Sequence, residues 1–549
     1  MSKKADILFI TRLESMHDTG SSELYSDLRL EIMGYPAMLP LARALAQGGA
    51  PEEVLPELKQ RMAKLSTPPF LTPILLREAM TRRNVTLVDV PCLPRDFEMI
   101  KEIISDGVGI IALSTTWLLG MKGAESVRQA AAKIREVAPE VPIVAGGVCV
   151  RKGLRARRML KAGELSCATE AELADKYLLI DAARDSDLDA IIVSEGAEDT
   201  LAAVAQRVRD GRDFRDLPNL ALPGDGGYQF TATVPEPTNL DEEIVDWSKY
   251  TERIQGFETP VRTTVGCPYK CQFCDFTGLY KPRVRAIDSL MAELQTLAQS
   301  MPAPGRIFFT DDNIALSKAR LKELTDAFIK HKLGIEWRGF LRADIIDREM
   351  AERMRDSGCR ECLLGIESAD PGVLENMDKR LDPEKALDAI RYLDANGIRT
   401  QCTFVVGFPG ENERSIKNTS DFLSALPSGE SAGALHRYYL FPFQVSPLSA
   451  VATPLGRDKF GLQGLGEVWS HDTMDSDGAA AAVKEIFLNV TGPTHMYLEH
   501  LPPEWPLHVT RQVLEAREKL KKQEVCGALD NTSAVAHLLG LVRQADSNT

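Results

Sequence analysis

Between residues 5 and 215 short apolar runs alternate with helical stretches, the pattern of a parallel sheet covered by helices. The strand candidates are Asp6–Thr11, Val85–Val90, Gly109–Ser114, Pro142–Gly147 and Ala190–Glu195. A long segment, 12–84, separates the first two, with helices expected at Pro40–Ala46, Glu52–Leu65 and Thr72–Arg83; a second insertion, 150–188, parts the fourth and fifth. Pro, Gly and Asp crowd 218–260, with Pro223-Gly224-Asp225-Gly226-Gly227 as a turn signal, so this stretch reads as a connector. From 261 to 445 strand and helix alternate six more times. These strands are expected at Arg262–Gly266, Arg306–Asp311, Trp337–Ala343, Glu361–Glu367, Thr400–Gly407 and Arg437–Phe441, with helices around 287–301, 317–331, 347–357, 384–396 and 412–425. Residues 446–549 have no strand pattern and read as mainly helical, a possible substrate lid. The fold class is therefore α/β, with a doubly wound sheet over 1–217 followed by a second α/β unit over 261–445.

A chain of 549 residues, 44% hydrophobic and 26% charged, has room for two to four domains with ample core. No apolar run approaches the roughly 18 residues that would span a membrane. Lys3 and Lys4 precede the run Ile7–Ile10, which is too short for a signal peptide and reads as a strand. Ten cysteines without an export signal point to the reducing cytoplasm. A net charge of −14 argues against a nucleic-acid partner. The basic run Arg151-Lys152-Gly153-Leu154-Arg155-Ala156-Arg157-Arg158 reads as a solvated helix face.

Candidate chemistry is densest in Val265-Gly266-Cys267-Pro268-Tyr269-Lys270-Cys271-Gln272-Phe273-Cys274. Cys267, Cys271 and Cys274 can fill three corners of a metal site. A structural zinc site would close with a fourth Cys or His nearby. The next downstream candidates are His331 and Cys359, so an iron–sulfur cluster with one open corner is the natural reading. The loop also follows a strand, and in parallel α/β sheets functional groups collect at the strands' carboxyl ends.

This spacing, with aromatic Phe273 before the last Cys, resembles the signature loop of the radical S-adenosylmethionine enzymes. The resemblance implies a partial (β/α)6 barrel and a 4Fe-4S cluster whose open iron chelates S-adenosylmethionine, which one electron cleaves to a 5′-deoxyadenosyl radical. Within it, Asp312 of Asp311-Asp312-Asn313 stands where a polar motif meets the methionine amino group. Arg342 resembles an Arg that pairs with the carboxylate, and Glu367 of Gly365-Ile366-Glu367-Ser368 resembles an acid facing the ribose or amino group. Phe404 to Pro409, in the run ending Gly407-Phe408-Pro409-Gly410-Glu411, lies where the fifth strand meets the adenine. The ordinary role of Asp312 and Glu367 would be helix capping or a rim ion pair.

Four features lie at strand ends of the first unit: Ser114-Thr115-Thr116, Gly146-Gly147-Val148, Glu195-Gly196-Ala197-Glu198 and the 11–20 loop. Hydroxyls, bare glycine backbone and a helix N-terminus suit a large polar ligand across the sheet edge. In this order, ahead of such a core, they look like the flavodoxin-like domain of the cobalamin-dependent subfamily, which makes Ser114, Thr115, Gly146, Gly147, Glu195 and Gly196 cobalamin-binding candidates. His17 follows the first strand, but Ser15 replaces the Asp of the expected Asp-x-His-x-x-Gly motif, so His17 is an axial-ligand candidate with only a weak partner.

The function so implied is methyl transfer from S-adenosylmethionine through methylcobalamin to a carbon of a small metabolite or peptide, with an electron donor such as flavodoxin or ferredoxin. Rearrangement or cyclisation with the same cofactors is the alternative. Methylthiolation of transfer RNA fits less well: Cys92, Cys149 and Cys167 do not follow that family's pattern. A scaffold with a degenerate barrel conflicts with the intact cysteine triad. Tyr438, Tyr439 and Phe441 are candidates for core packing or substrate contact. His471 is a candidate general base or a hydrogen-bonded surface histidine. No catalytic acid or base is assigned.

Overall fold

The computed structural model describes residues 5–13 and 71–527, apart from 117, 119, 166–167, 237–238, 255–257, 302–303, 428–433 and 497–506. The first sheet holds β1 (Ala5–Arg12), β2 (Leu87–Cys92), β3 (Val108–Ser114), β4 (Ile143–Gly146), β5 (Ala190–Ile192), β6 (Leu220–Leu222) and β7 (Gln229–Phe230). Its order is β2-β1-β3-β4-β5-β6-β7, parallel through β5. The first five strands thus follow the flavodoxin-like order, with the topological switch point between β1 and β3. Two apolar layers flank the sheet: Leu8, Ile10, Ile111 and Leu113 face one, Ile7, Phe9, Ile110 and Ala112 the other. Both faces are covered, which is why these strands read as continuous apolar runs. Part of the segment that reads as a connector instead extends this sheet as β6 and β7, both antiparallel.

The second sheet runs β8 (Thr259–Val261), β11 (Gly305–Phe309), β12 (Ile335–Leu341), β13 (Cys359–Glu367), β14 (Arg399–Val406) and β15 (His436–Pro442), all parallel. The first strand lies earlier than its sequence pattern suggests. Pro260 argues against a strand, but β8 is the sheet edge, where a missing N–H costs no ladder bond. Beyond it, β9 (Thr264–Val265) and β10 (Arg283–Val284) form a separate antiparallel pair. The C-terminal region is mainly helical, with helices Pro454–Phe460, Ser476–Asn489 and Leu507–Val525. It also carries short strands that its polar composition hides: β16 (Gln463–Leu465), β17 (Val468–His471) and β18 (Met474–Asp475) form a small sheet, and β19 (Thr494–His495) joins β15. Among the described residues no helix is long and apolar enough to cross a membrane.

Candidate active site

The cysteine loop leaves β9 and returns along β10, so a two-residue ladder, Val265 with Arg283 and Thr264 with Val284, pins both its ends. Cys271 is buried, and Cys267 and Cys274 are half-buried. Gln272 clamps the middle: its N–H donates to the Met377 carbonyl (2.9 Å) and its carbonyl accepts from the Val451 N–H (3.1 Å). Phe273 packs edge-on against Phe408, with ring centroids 6.3 Å apart. Burial raises the pKa of all three thiols, so a metal centre would displace protons from them. Among the described residues no group of three His, Cys, Asp or Glu side chains is gathered to hold a single metal ion. Three thiols on one short loop fit a cluster, whose irons stand apart and each take one sulfur.

Around Cys271 the charges that act on its thiol are Lys379, Glu367 and Arg342. Glu367 ends β13 beyond a register shift, with φ 71°, and its Oε1 lies 3.1 Å from Lys379 Nζ. A Cβ on Gly365 would stand 2.4 Å from that oxygen and 3.1 Å from that nitrogen, so the Gly-x-Glu spacing leaves the room the pair occupies. Glu367 therefore makes a rim ion pair, its ordinary role, beside the cysteine loop. Arg342 turns its fork to Asp344, at 2.9 and 3.1 Å, and donates to the Lys379 carbonyl at 2.8 Å. Its guanidinium also lies 4.1 Å from the ring centre of Tyr269, so it braces the loop between Cys267 and Cys271.

Asp311 is a clamp: its carboxylate accepts from the N–H groups of Thr263 and Thr264, and burial pushes its pKa up to about 7. Asp312 is exposed yet surrounded by enough protein to feel burial. Burial raises its pKa against the pull of Lys152, and it acts in turn on Cys267 and Tyr280.

At the edge of the first sheet, Ser114, Thr115, Gly146 and Gly147 come together. The N–H and Oγ1 of Thr115 both donate to the Gly146 carbonyl, at 2.9 and 3.0 Å. Gly147 has φ 117°, and a Cβ there would lie 2.9 Å from Thr116 Oγ1. The cradle is bare backbone because no side chain fits. Glu195 instead pairs with Arg283 of β10, tying the first sheet to the β9–β10 ladder that holds the cysteine loop. The N-terminus of the helix Glu198–Arg209, expected to be free for a ligand, is filled by this chain: Glu236 accepts from the N–H groups of Asp199 (2.6 Å) and Thr200 (3.2 Å). Gly196 donates to the Glu236 carbonyl at 2.8 Å. Nothing local in the sequence announces a cap 38 residues beyond Glu198. His17 lies outside the described residues.

The basic run 151–158 is not a solvated face. It belongs to the helix Val148–Lys161, which begins at Gly147 and packs onto the cysteine loop. Lys152 is buried and pairs with Asp275 at 2.8 Å; Arg151 donates to the Leu279 carbonyl at 3.3 Å, and Arg155 to the Thr277 carbonyl. His471 is likewise neither a surface residue nor placed as a base. It is buried, stacked on Trp469, with Nε2 2.9 Å from the Gly407 carbonyl and Nδ1 3.3 Å from the Thr473 N–H, and burial lowers its pKa. Lys152, Asp275 and Lys379 are the site residues that sequence reasoning passes over. Only Asp275 carried a signal, its place next to Cys274.

The sequence profile of the Radical SAM superfamily matches residues 261–423. Over 247 residues the chain is 27% identical to an uncharacterised methyltransferase of Pyrococcus horikoshii, covering 44% of this chain and 53% of that protein. It is 30% identical over 169 residues to the bacteriochlorophyllide d C-12(1)-methyltransferase of Chlorobaculum tepidum, covering 30% of this chain and 37% of the relative. These matches span about half or less of the relatives' own length. The fold is similar to that of the radical S-adenosylmethionine methyltransferase TsrM from Kitasatospora setae, solved with cobalamin and a [4Fe-4S] cluster bound: TM-score 0.57 over 99% of both chains at 14% identity.

Proposed function

We propose that this chain, whose residues 261–423 are a radical S-adenosylmethionine domain, is a cobalamin-dependent methyltransferase acting on a carbon of a small molecule or peptide. One observation carries the reading: the carboxyl edges of the two sheets meet at the cysteine loop. Lys152 and Glu195 from the first unit pair there with Asp275 and Arg283 from the second. The methyltransferases among the relatives, and the TsrM fold solved with both cofactors, support it.

In this reading Cys267, Cys271 and Cys274 would hold a 4Fe-4S cluster, and Gly146 and Gly147 with Ser114 and Thr115 would hold a corrin. When bound, the cluster would supply one-electron chemistry and the corrin would relay the methyl group that S-adenosylmethionine donates. The chain's own residues position and shield. Lys379, Glu367 and Arg342 set the charge around Cys271, and Asp312 presents a carboxylate to a cationic amino group. Phe273 and Phe408 exclude water from one side of the loop. Reduction of the cluster calls for a low-potential donor such as flavodoxin or ferredoxin.

Anaerobic reconstitution with iron, sulfide and hydroxocobalamin tests the reading. The expected result is about four irons and one corrinoid per chain after gel filtration, with methyl label passing from S-adenosylmethionine to the corrinoid. Iron uptake without corrinoid would sink the methyltransferase assignment while leaving the cluster.

A further inference from the structure

The inner face of the core sheet carries residues that the methyltransferase reading leaves unused. Side chains alternate along a strand. In β12, Trp337 and Leu341 pack into the helical layer, so Arg338 and Phe340 face the other way; in β15, Tyr438 and Leu440 do the same and leave Arg437 and Phe441 on that face. Phe340 is 37% exposed and Phe441 44% exposed although both lie on interior strands of a seven-stranded sheet. Phe308 leans on Phe340 (centroids 6.1 Å apart) and Tyr439 on Phe441 (3.8 Å). Phe308, Phe340 and Phe441 thus form an aromatic wall on the sheet face opposite the helical layer, with Phe340 and Phe441 still partly open to solvent.

Toward the amino ends of the strands the same face turns cationic. Arg338 lies 4.4 Å over the Phe308 ring. Beside it gather Arg360, Arg399 and Arg437, with Glu361 and Glu258. Arg437 pairs with Glu361 at 2.8 Å, Arg338 reaches Glu361 at 3.6 Å and Glu258 at 2.5 Å, and Arg360 also takes Glu258. The register sets Arg338, Glu361 and Arg399 in one lateral row. Among the described residues, four guanidinium groups against two carboxylates leave two positive charges. Arg399 sits near Glu361 and Arg360 with no ion pair of its own among the described residues. Among the described residues, the buried Nε groups of Arg360 and Arg437 have no acceptor. Half-buried like charges and unpaired donors are costly unless an anion joins them.

We propose that the substrate is a small aromatic acid, its carboxylate or phosphate seated on this arginine floor and its apolar body lying along Phe308, Phe340 and Phe441. Four residue steps run from Arg338 to Arg342, just past the end of β12, about 13 Å at the usual rise, so a molecule of roughly that length reaches from the floor to the cysteine loop. The inference rests on the methyltransferase reading for what happens at the upper end. The anion site itself needs no turnover.

Binding to the full chain, reconstituted with iron, is measured by calorimetry for 3-phenylpropionate, phenyl phosphate and the neutral 3-phenylpropionamide. The expected result is that at least one anion binds about tenfold or more tightly than the amide. That advantage should disappear in Arg399→Gln and in Arg360→Gln while amide affinity stays, which also shows that the variants remain folded. The better of the two anions identifies the group the floor takes. Equal affinity for acid and amide, an advantage that survives both substitutions, or no binding by any probe overturns the proposal. Loss of corrinoid uptake with the anion preference intact would count against the methyltransferase reading alone.

Discussion

Lys152 Nζ lies 2.8 Å from Asp275 Oδ2, and through this contact the helix that begins at Gly147 grips the residue after Cys274. Ser446 donates to the same oxygen at 2.9 Å, and the Lys152 ammonium also rests 4.2 Å over the Phe276 ring. Burial alone would raise the Asp275 carboxyl, yet Lys152 and Lys176 outweigh it and hold its pKa below the usual range. One ion pair thus ties the glycine cradle of the first sheet to the metal-binding loop of the second.

Removing the ammonium takes away the ion-pair partner of a buried carboxylate and leaves it the Ser446 hydroxyl and the more distant Lys176. Lys152→Met should cost about 3 kcal/mol in chemical denaturation, the typical loss for one half of a buried pair. Adding Asp275→Asn should restore part of it, because the stranded charge is then gone. If the two substitutions prove additive, the pair does not couple the units.

Gly365→Ala tests the space behind Glu367. The new methyl would fall 2.4 Å from Glu367 Oε1 and 3.1 Å from Lys379 Nζ, so the pair must move. Overpacking of this kind costs about 1–3 kcal/mol. Equilibrium dialysis should show weaker S-adenosylmethionine binding, while the iron content, set by cysteines the methyl does not touch, is unchanged.

Gly147→Ala probes the other cofactor edge. At φ 117° a side chain is strained, and its Cβ would press on Thr116 Oγ1 at 2.9 Å. A cost of about 1–2 kcal/mol is expected. Corrinoid retention after gel filtration should fall, with iron retention and visible cluster absorbance preserved. Full corrinoid loading of the variant would remove Gly147 from the cradle.

Much of this was legible because the signals were local. Apolar runs such as Gly109–Ser114 and Trp337–Ala343 marked strands to within a few residues, and the cysteine spacing marked the loop. What escaped depends on pairing across the chain. Glu236 caps a helix that starts at Glu198, Lys379 answers Glu367 from beyond a turn, and Glu195 finds Arg283 on another sheet. The run Arg151–Arg158 looks solvent-facing by composition, and only its packing on Asp275 and Thr277 reveals otherwise. Long basic side chains make that error easy, since their apolar stems bury well while the heads find carbonyls.

Gly407 offers a pH-dependent test. Its N–H donates to the Glu411 carboxylate and its carbonyl faces His471 Nε2, so the turn after β14 is held from both sides. Burial pushes the Glu411 pKa up to about 7, whereas an unfolded Glu titrates near 4.3. Between those values the folded state holds a proton that the unfolded state has lost. Stability from this group is therefore complete below about pH 4 and declines as pH rises toward about 7, by roughly 4 kcal/mol at most. Glu411→Gln keeps an oxygen for the Gly407 N–H and carries no charge at any pH. Thermal unfolding from pH 5 to pH 8 should show the wild type losing more stability than the variant, with the difference growing most steeply between about pH 5 and 6.5 and levelling off above about pH 7. Parallel curves would mean that Glu411 is ionised throughout and that burial does not govern its proton.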